Sequence, residues 1–452
     1  MSSAAAASGA APAHSGASPD PYLPGAGTTA FRMERYELEL DYRVSSNRLS
    51  GRAVLHGTVQ VPTSAIVLDF AGLKATKVQL TGSKAIRFSQ RADQLTVITQ
   101  AALQPGQPFT LEVRYEGSPS PRRGLWGEVG WEELSDGVLV AGQPNGAPSW
   151  FPCNDHPGDK ASYRFTVTTD ANYRAVCNGV LQSRTARSSR ETWVYEQAEP
   201  MPTYLATVQI GRYAQLELDT GRQAGQVPQF VAVPPELAGR ARAGLARQPA
   251  MMRAFANCFG PYPFPAYTVV VAGDELEIPL EAQGMSILGP NHLDQDWESQ
   301  RLIAHELSHQ WFGNSLTASS WRDIWLHEGF ACYAEWIWSE EAGLMSAADR
   351  AGAAWRRLQA DAQDLLVGDP GPEHMFDDRV YKRGALAVHA VRVACGDLAF
   401  FALLQEWTAR NRYGSVSTSD FIVLLNRATA LDAESLLHPW LYEEHLPPLP
   451  AG

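Results

Sequence analysis

His305 and His309 stand four residues apart in the segment His305-Glu306-Leu307-Ser308-His309, and Trp325-Leu326-His327-Glu328-Gly329 follows further along the chain. On a helix, residues four apart share a face, so both imidazoles can be presented to one point. Glu306 lies about 100° round the same helix and reaches a water held at that point. A catalytic zinc takes three protein ligands and leaves a fourth position open, and Glu328 is the natural third beside His305 and His309. The plain alternative is a satisfied pair of core histidines. The flanks argue against it, because Leu302-Ile303-Ala304 and Trp311-Phe312 make this a buried helix. Burying two histidines and a carboxylate there without a partner costs several kcal/mol, and a metal ion removes that cost.

Two kinds of element must position these groups. From Arg32 to about Tyr213 the hydrophobic pattern has period two, as in residues 36–42, 65–70, 109–113 and 192–195, between Gly, Pro and Asn turns. That pattern predicts short strands and an all-β domain of sandwich or saddle type. After Phe230 the character changes. Ala238 to Cys258 reads as helix, Val269-Val270-Val271 as a buried strand, and long helical segments dominate from Glu298 onward. The expected division is a disordered Ala/Ser/Gly/Pro-rich tail over 1–30, a β-rich domain over 31–213 and a mainly helical domain over 214–452. The fold class is therefore α+β and multidomain.

The formal net charge of −12 and the lack of any Lys/Arg run argue against nucleic acid as a partner. An acidic chain suits a cationic ligand better. No stretch of eighteen apolar residues exists, so no membrane partner is expected. The tail lacks a basic start and an apolar core of signal-peptide type, and an export signal built on Ala4 to Ala7 is the lesser reading. The five cysteines (153, 177, 258, 332 and 395) are widely spaced. They predict a reducing, cytoplasmic setting.

The run His305 to Asn314, with Trp325 to Ala331, closely resembles the gluzincin aminopeptidases of the aminopeptidase N and leukotriene hydrolase family. Trp150-Phe151-Pro152-Cys153-Asn154-Asp155-His156-Pro157 with Lys160-Ala161 resembles a signature of that family's N-terminal domain, and Tyr381-Lys382-Arg383-Gly384-Ala385 resembles its catalytic-tyrosine segment. The resemblance spans roughly residues 31 to 445. It implies a thermolysin-like zinc-peptidase domain after the β domain, one Zn²⁺, and peptide substrates with a free N-terminus. Many relatives continue into a large helical domain over the active site, whereas this sequence stops soon after Trp440-Leu441-Tyr442. The cleft is then expected to be more open, or closed by a partner subunit.

Roles follow residue by residue. Zinc held by His305, His309 and Glu328 lowers the pKa of a water from about 15.7 toward 7. Glu306 accepts the proton and passes it to the leaving amine. By resemblance, Tyr381 donates to the oxygen on which charge grows. The family's Gly-x-Met-Glu-Asn segment aligns with Pro279-Leu280-Glu281-Ala282-Gln283, which keeps the glutamate but loses the glycine and asparagine. Glu281 is thus the expected amine ligand, with Ser286 favoured by another register and Glu275 and Glu277 close by. Gln143 is the second expected amine contact. His327 points away from the metal, Cys332 could face the site but reads as a small buried cysteine because three ligands already suffice, and Asp323 and Asn314 are expected to orient the ligands. Asp155, His156 and Lys160 are expected to fix a loop between domains. The resulting reading is a zinc aminopeptidase. Its rivals are a catalytically silent scaffold, or a zinc hydrolase with endopeptidase or epoxide hydrolase activity.

Overall fold

A computed structural model describes residues 20–83, 86–220 and 227–450. The N-terminal half carries β1 (Phe31–Arg43), β2 (Arg48–Val59), β3 (Thr63–Asp69), β4 (Lys74–Leu80), β5 (Ile86–Arg91), β6 (Gln94–Leu103), β7 (Pro108–Gly117), β8 (Arg122–Gly124), β9 (Gly127–Leu134) and β10 (Gly137–Ala141). It continues through β11 (Ala161–Asp170), β12 (Arg174–Cys177), β13 (Val180–Arg187), β14 (Arg190–Met201) and β15 (Val208–Gly211). Among the described residues these form a seven-stranded sheet, β13-β14-β11-β1-β2-β7-β4, a five-stranded sheet, β12-β15-β10-β9-β8, and a three-stranded sheet, β3-β6-β5. Period-two patterning explains them. In β11, Ala161, Tyr163, Phe165, Val167 and Thr169 alternate strictly as buried residues, and β11 lies parallel to β1.

The second half opens on a mixed sheet. Strands β16 (Ala214–Glu217), β17 (Gln229–Val233), β18 (Tyr267–Val271), β19 (Leu280–Ala282) and β20 (Met285–Leu288) take the order β16-β17-β18-β20-β19. Val269 to Val271 lie in the central strand, parallel to both neighbours, where a continuous apolar run belongs. Helices α1 (Ala238–Gly244), α2 (Gln248–Phe259), α3 (Trp297–Ser308), α4 (Trp325–Glu341), α5 (Ala347–Leu358), α6 (Asp378–Cys395), α7 (Asp397–Arg410), α8 (Thr418–Ala428) and α9 (Ala433–Leu441) follow. The helix expected over 238–258 is two helices, with Pro249 in the first turn of the second. The architecture is a β-rich N-terminal domain followed by a mainly helical one.

The tail expectation needs correction. Residues 1–19 lie outside the described residues, but 20–30 are held in place, Asp20 and Tyr22 by the second domain and Gly27, Thr28 and Ala30 by Asp69, Asn154 and Gln60 of the first. Asp20 accepts from the Trp321 N–H at 2.6 Å, and the Tyr22 hydroxyl donates to Asp369 at 2.5 Å and accepts from the Gly371 N–H at 2.8 Å. Composition alone hid this, since one acceptor and one aromatic are enough to anchor a short segment. Lys160 also bridges the two halves, donating to the carbonyls of Asn314, Ser315 and Gly414 at 3.2, 2.8 and 3.0 Å. Five of the six tryptophans between 297 and 338 are buried, and Trp297 packs partly buried against the core.

Candidate active site

Helix α3 starts on Asp296, whose carboxylate accepts from the Ser299 N–H at 2.9 Å, and carries His305 and Glu306 in its last turn. His309 ends the helix, and the chain then turns at Gly313, whose φ of +114° suits glycine. Any Cβ there would meet the His309 ring at 3.3 Å. Helix α4 brings Glu328 to the same point. Its Oε2 lies 3.3 Å from His305 Nε2 and 3.5 Å from His309 Nε2. The three ligand atoms lie within 4.8 Å of one another.

What surrounds these atoms decides whether they fit a metal. His305 Nδ1 donates to Glu335 Oε1 at 2.8 Å, and His309 Nδ1 donates to the Phe312 carbonyl at 3.0 Å. With both Nδ1 atoms committed as donors, each neutral imidazole turns an Nε2 lone pair toward the Glu328 carboxylate. Three acceptors then converge on one buried point, an arrangement that needs a cation or protons. The donor set of two imidazoles and one carboxylate fits zinc. Burial opposes a charge on His305 and His309, yet the carboxylates, Glu328 foremost, hold them up to about 9 and about 10. Glu328 is buried too, but the two histidines hold it well below the usual carboxylate range.

A pH dependence follows. Metal-free protein at pH 7 carries protons that zinc must displace, so uptake should release up to two of them, and apparent affinity should rise with pH until it passes about 9 to 10. Below that range the gain approaches about a hundredfold per pH unit. Calorimetry in buffers of differing ionisation heat counts the protons, and a count of zero would refute the linkage.

Glu335 is a residue that the sequence reasoning missed. It lies on α4 two turns after Glu328 and is fully buried, with Arg301 Nη1 at 3.7 Å and Lys382 Nζ at 4.0 Å from its Oε2. Its signal was available, since a carboxylate inside Tyr333-Ala334-Glu335-Trp336 must have partners. Asp323 and Asn314, expected in this role, do not take it. Asp323 binds the Thr418 hydroxyl, and the Asn314 amide donates to the Ala282 carbonyl at 3.0 Å. Replacing Glu335 by Ala should weaken zinc binding about 10- to 100-fold, read by competition with a chelator.

The remaining expected residues converge here. Glu306 is buried, and its Oε2 has no hydrogen-bond partner among the described residues. The Tyr381 ring stacks on His305 at 5.9 Å between centroids. Burial holds its phenol protonated well above the ordinary range. Glycines set this approach, because α4 and α6 cross where a Cβ on Gly329 would stand 2.8 Å from the Gly384 carbonyl carbon. Glu281 on β19 completes a second convergent group with Glu306 and His309, ligand atoms again within 4.8 Å. Gln143 Nε2 donates to Glu281 Oε1 at 2.7 Å. The rival carboxylates Glu275 and Glu277 are exposed, and Ser286, opposite Glu281 in the sheet, shares a hydrogen bond with the Tyr267 hydroxyl. His327 Nε2 accepts from the Ala318 N–H at 2.7 Å and Cys332 Sγ from Lys382 at 3.3 Å.

Residues 32–205 match the peptidase M1 N-terminal domain and residues 244–440 the peptidase family M1 domain. A crystal structure of an M1 zinc metallopeptidase from Deinococcus radiodurans superimposes with a TM-score of 0.86 at 31% identity, covering 96% of this chain and 99% of that one. A mutant of that protein bound to a Tyr-Ser-Ala substrate gives 0.88 at 29% identity, with the same coverage. A leucyl aminopeptidase of Saccharolobus solfataricus is 25% identical over 92% of this chain and 54% of its own length. Human endoplasmic reticulum aminopeptidase 1 is 24% identical over 85% of this chain and 44% of its own. The chain thus spans about half the length of the curated relatives it matches. With both domains matched and a structure of equal extent alongside, the chain belongs to the M1 peptidase family.

Proposed function

We propose that the protein is a zinc aminopeptidase that removes the first residue of peptides with a free N-terminus, with 31–213 as its N-terminal domain and 214–452 as its catalytic domain. The observation that carries the reading is the place of Glu281 beside Glu306 and His309. In an α-amino acid the ammonium and the carbonyl are joined through a single carbon, so their partners must stand side by side, as these do. Gln143 occupies one oxygen of Glu281 and leaves the other, with its own amide oxygen, to accept from a substrate ammonium by charge-assisted bonds.

His305, His309 and Glu328 would hold the ion, which when bound polarises a carbonyl and makes water nucleophilic near neutral pH. Glu306 accepts the proton of the attacking water through its unpartnered oxygen and delivers it to the leaving amine. Tyr381, protonated, donates to the oxygen that gains charge. Its position against the His305 ring supports that role. Five free thiols support a cytoplasmic setting, and no described helix is long and apolar enough to cross a membrane.

The test is one peptide offered free and N-acetylated, with and without a zinc chelator. Cleavage of the free form alone, lost on chelation, is expected. Equal cleavage of both would overturn the reading in favour of an endopeptidase.

A further inference from the structure

The hairpin that carries Glu281 hangs between two supports. On one side Gln283 Nε2 donates to the carbonyls of Glu199 and Pro200 at 3.2 and 3.4 Å, and Asn178 donates to the Gln283 carbonyl at 3.0 Å, which ties the turn to the N-terminal domain. On the other side stands one fully buried side chain, Gln310, the residue after His309. Its amide nitrogen donates to the carbonyls of Ala282 and Met285 at 3.1 and 3.2 Å, and its amide oxygen accepts from the Gly284 N–H at 2.8 Å. Asn314 adds a bond to the Ala282 carbonyl at 3.0 Å.

Among the described residues, strand β19 is a three-residue edge strand paired with β20 alone. So short a strand cannot by itself hold a carboxylate to a fraction of an ångström. The path from His309 to Glu281 runs through one backbone step, the Gln310 amide and one further step at Ala282. We propose that Gln310 is a positioning residue that fixes the separation between the amine anchor and the metal, so that the site measures one α-amino acid unit of backbone. The proposal rests on the aminopeptidase reading and names the device that gives it its length. A β-aminoacyl substrate sets the ammonium one carbon, about 1.5 Å of bond, further from the carbonyl, and a rigid anchor discriminates against it.

The experiment uses Gln310→Met, which removes all three bonds at nearly constant volume. Zinc content should stay that of the unsubstituted protein. The preference for α-aminoacyl over β-aminoacyl substrates, in kcat/KM, should fall about tenfold or more, within the range that one methylene commands in a fitted site. The calorimetric preference for an α-amino over a β-amino hydroxamate should fall in parallel, a readout free of turnover. A general loss of packing would lower both members of each pair by the same factor, and an unchanged ratio overturns the proposal. Should Gln310→Met not fold, Gln310→Glu, which keeps an acceptor for the Gly284 N–H and loses the two bonds donated to Ala282 and Met285, decides by the same ratio. If the unsubstituted protein cleaves acetylated and free peptides alike, the aminopeptidase reading falls and the ruler with it; a selective parent with unmoved ratios removes the ruler alone.

Discussion

Glu306→Gln is expected to lower kcat about 10⁴-fold, the upper end of what general acid–base catalysis supplies, while zinc content and KM stay near their starting values. Glu306 Oε2 is buried without a partner among the described residues, so an oxygen is kept free beside the point where His305, His309 and Glu328 converge. Burial pushes the Glu306 carboxyl up to about 8 against the pull of the two histidines. A group poised near the working pH can both take and return a proton. Glutamine keeps the shape and can hydrogen-bond water, but it cannot accept the proton. Nor does the change touch the ligand set, so metal content separates loss of the base from loss of the site. A kcat within tenfold of the starting value, with zinc retained, would remove Glu306 from the reaction.

The local part of this site was legible in the sequence because helix geometry carries it. His305 and His309 are four apart, and no other element need be known for them to face one point. The period-two runs gave the strands for the same reason, and the apolar Val269 to Val271 declared a strand covered on both faces. Contacts set by chain crossings were not legible. Asp323 and Asn314 lie near the ligands in sequence, yet they turn to Thr418 and Ala282. Glu335, two turns beyond Glu328, is the carboxylate that touches His305. The support of His309 is a backbone carbonyl, at Phe312, which no residue type reveals. Residues 20–30 read as tail because their anchoring partners lie far along the chain, Asp69 and Asn154 for Gly27 and Thr28, and Trp321, Asp369 and Gly371, 301 to 349 residues away, for Asp20 and Tyr22. The Glu281 segment was reached by resemblance, and only the hairpin register separates it from Ser286.

That register makes Glu281 the subject of the second large effect. Glu281→Ala should lower kcat/KM for free-amine peptides about 10- to 150-fold, mainly through KM, as expected for a hydrogen bond to a charged group worth about 1.5–3 kcal/mol. Acetylated peptides should lose nothing further, since they carry no ammonium for the carboxylate to hold. Gln143→Ala should cost less, because Gln143 contributes one acceptor and otherwise steadies Glu281 through the 2.7 Å bond. Once Glu281 is gone that steadying has no object, so the double substitution should fall short of the sum of the single effects. Glu277→Ala provides the control. It lies four residues earlier in the same segment but is exposed, and its removal should change KM by less than about twofold, as for an ordinary surface substitution. An unchanged KM in Glu281→Ala would place the ammonium elsewhere, and a large effect in Glu277→Ala would place it there, because these two carboxylates compete for one role and only Glu281 stands beside Glu306 and His309.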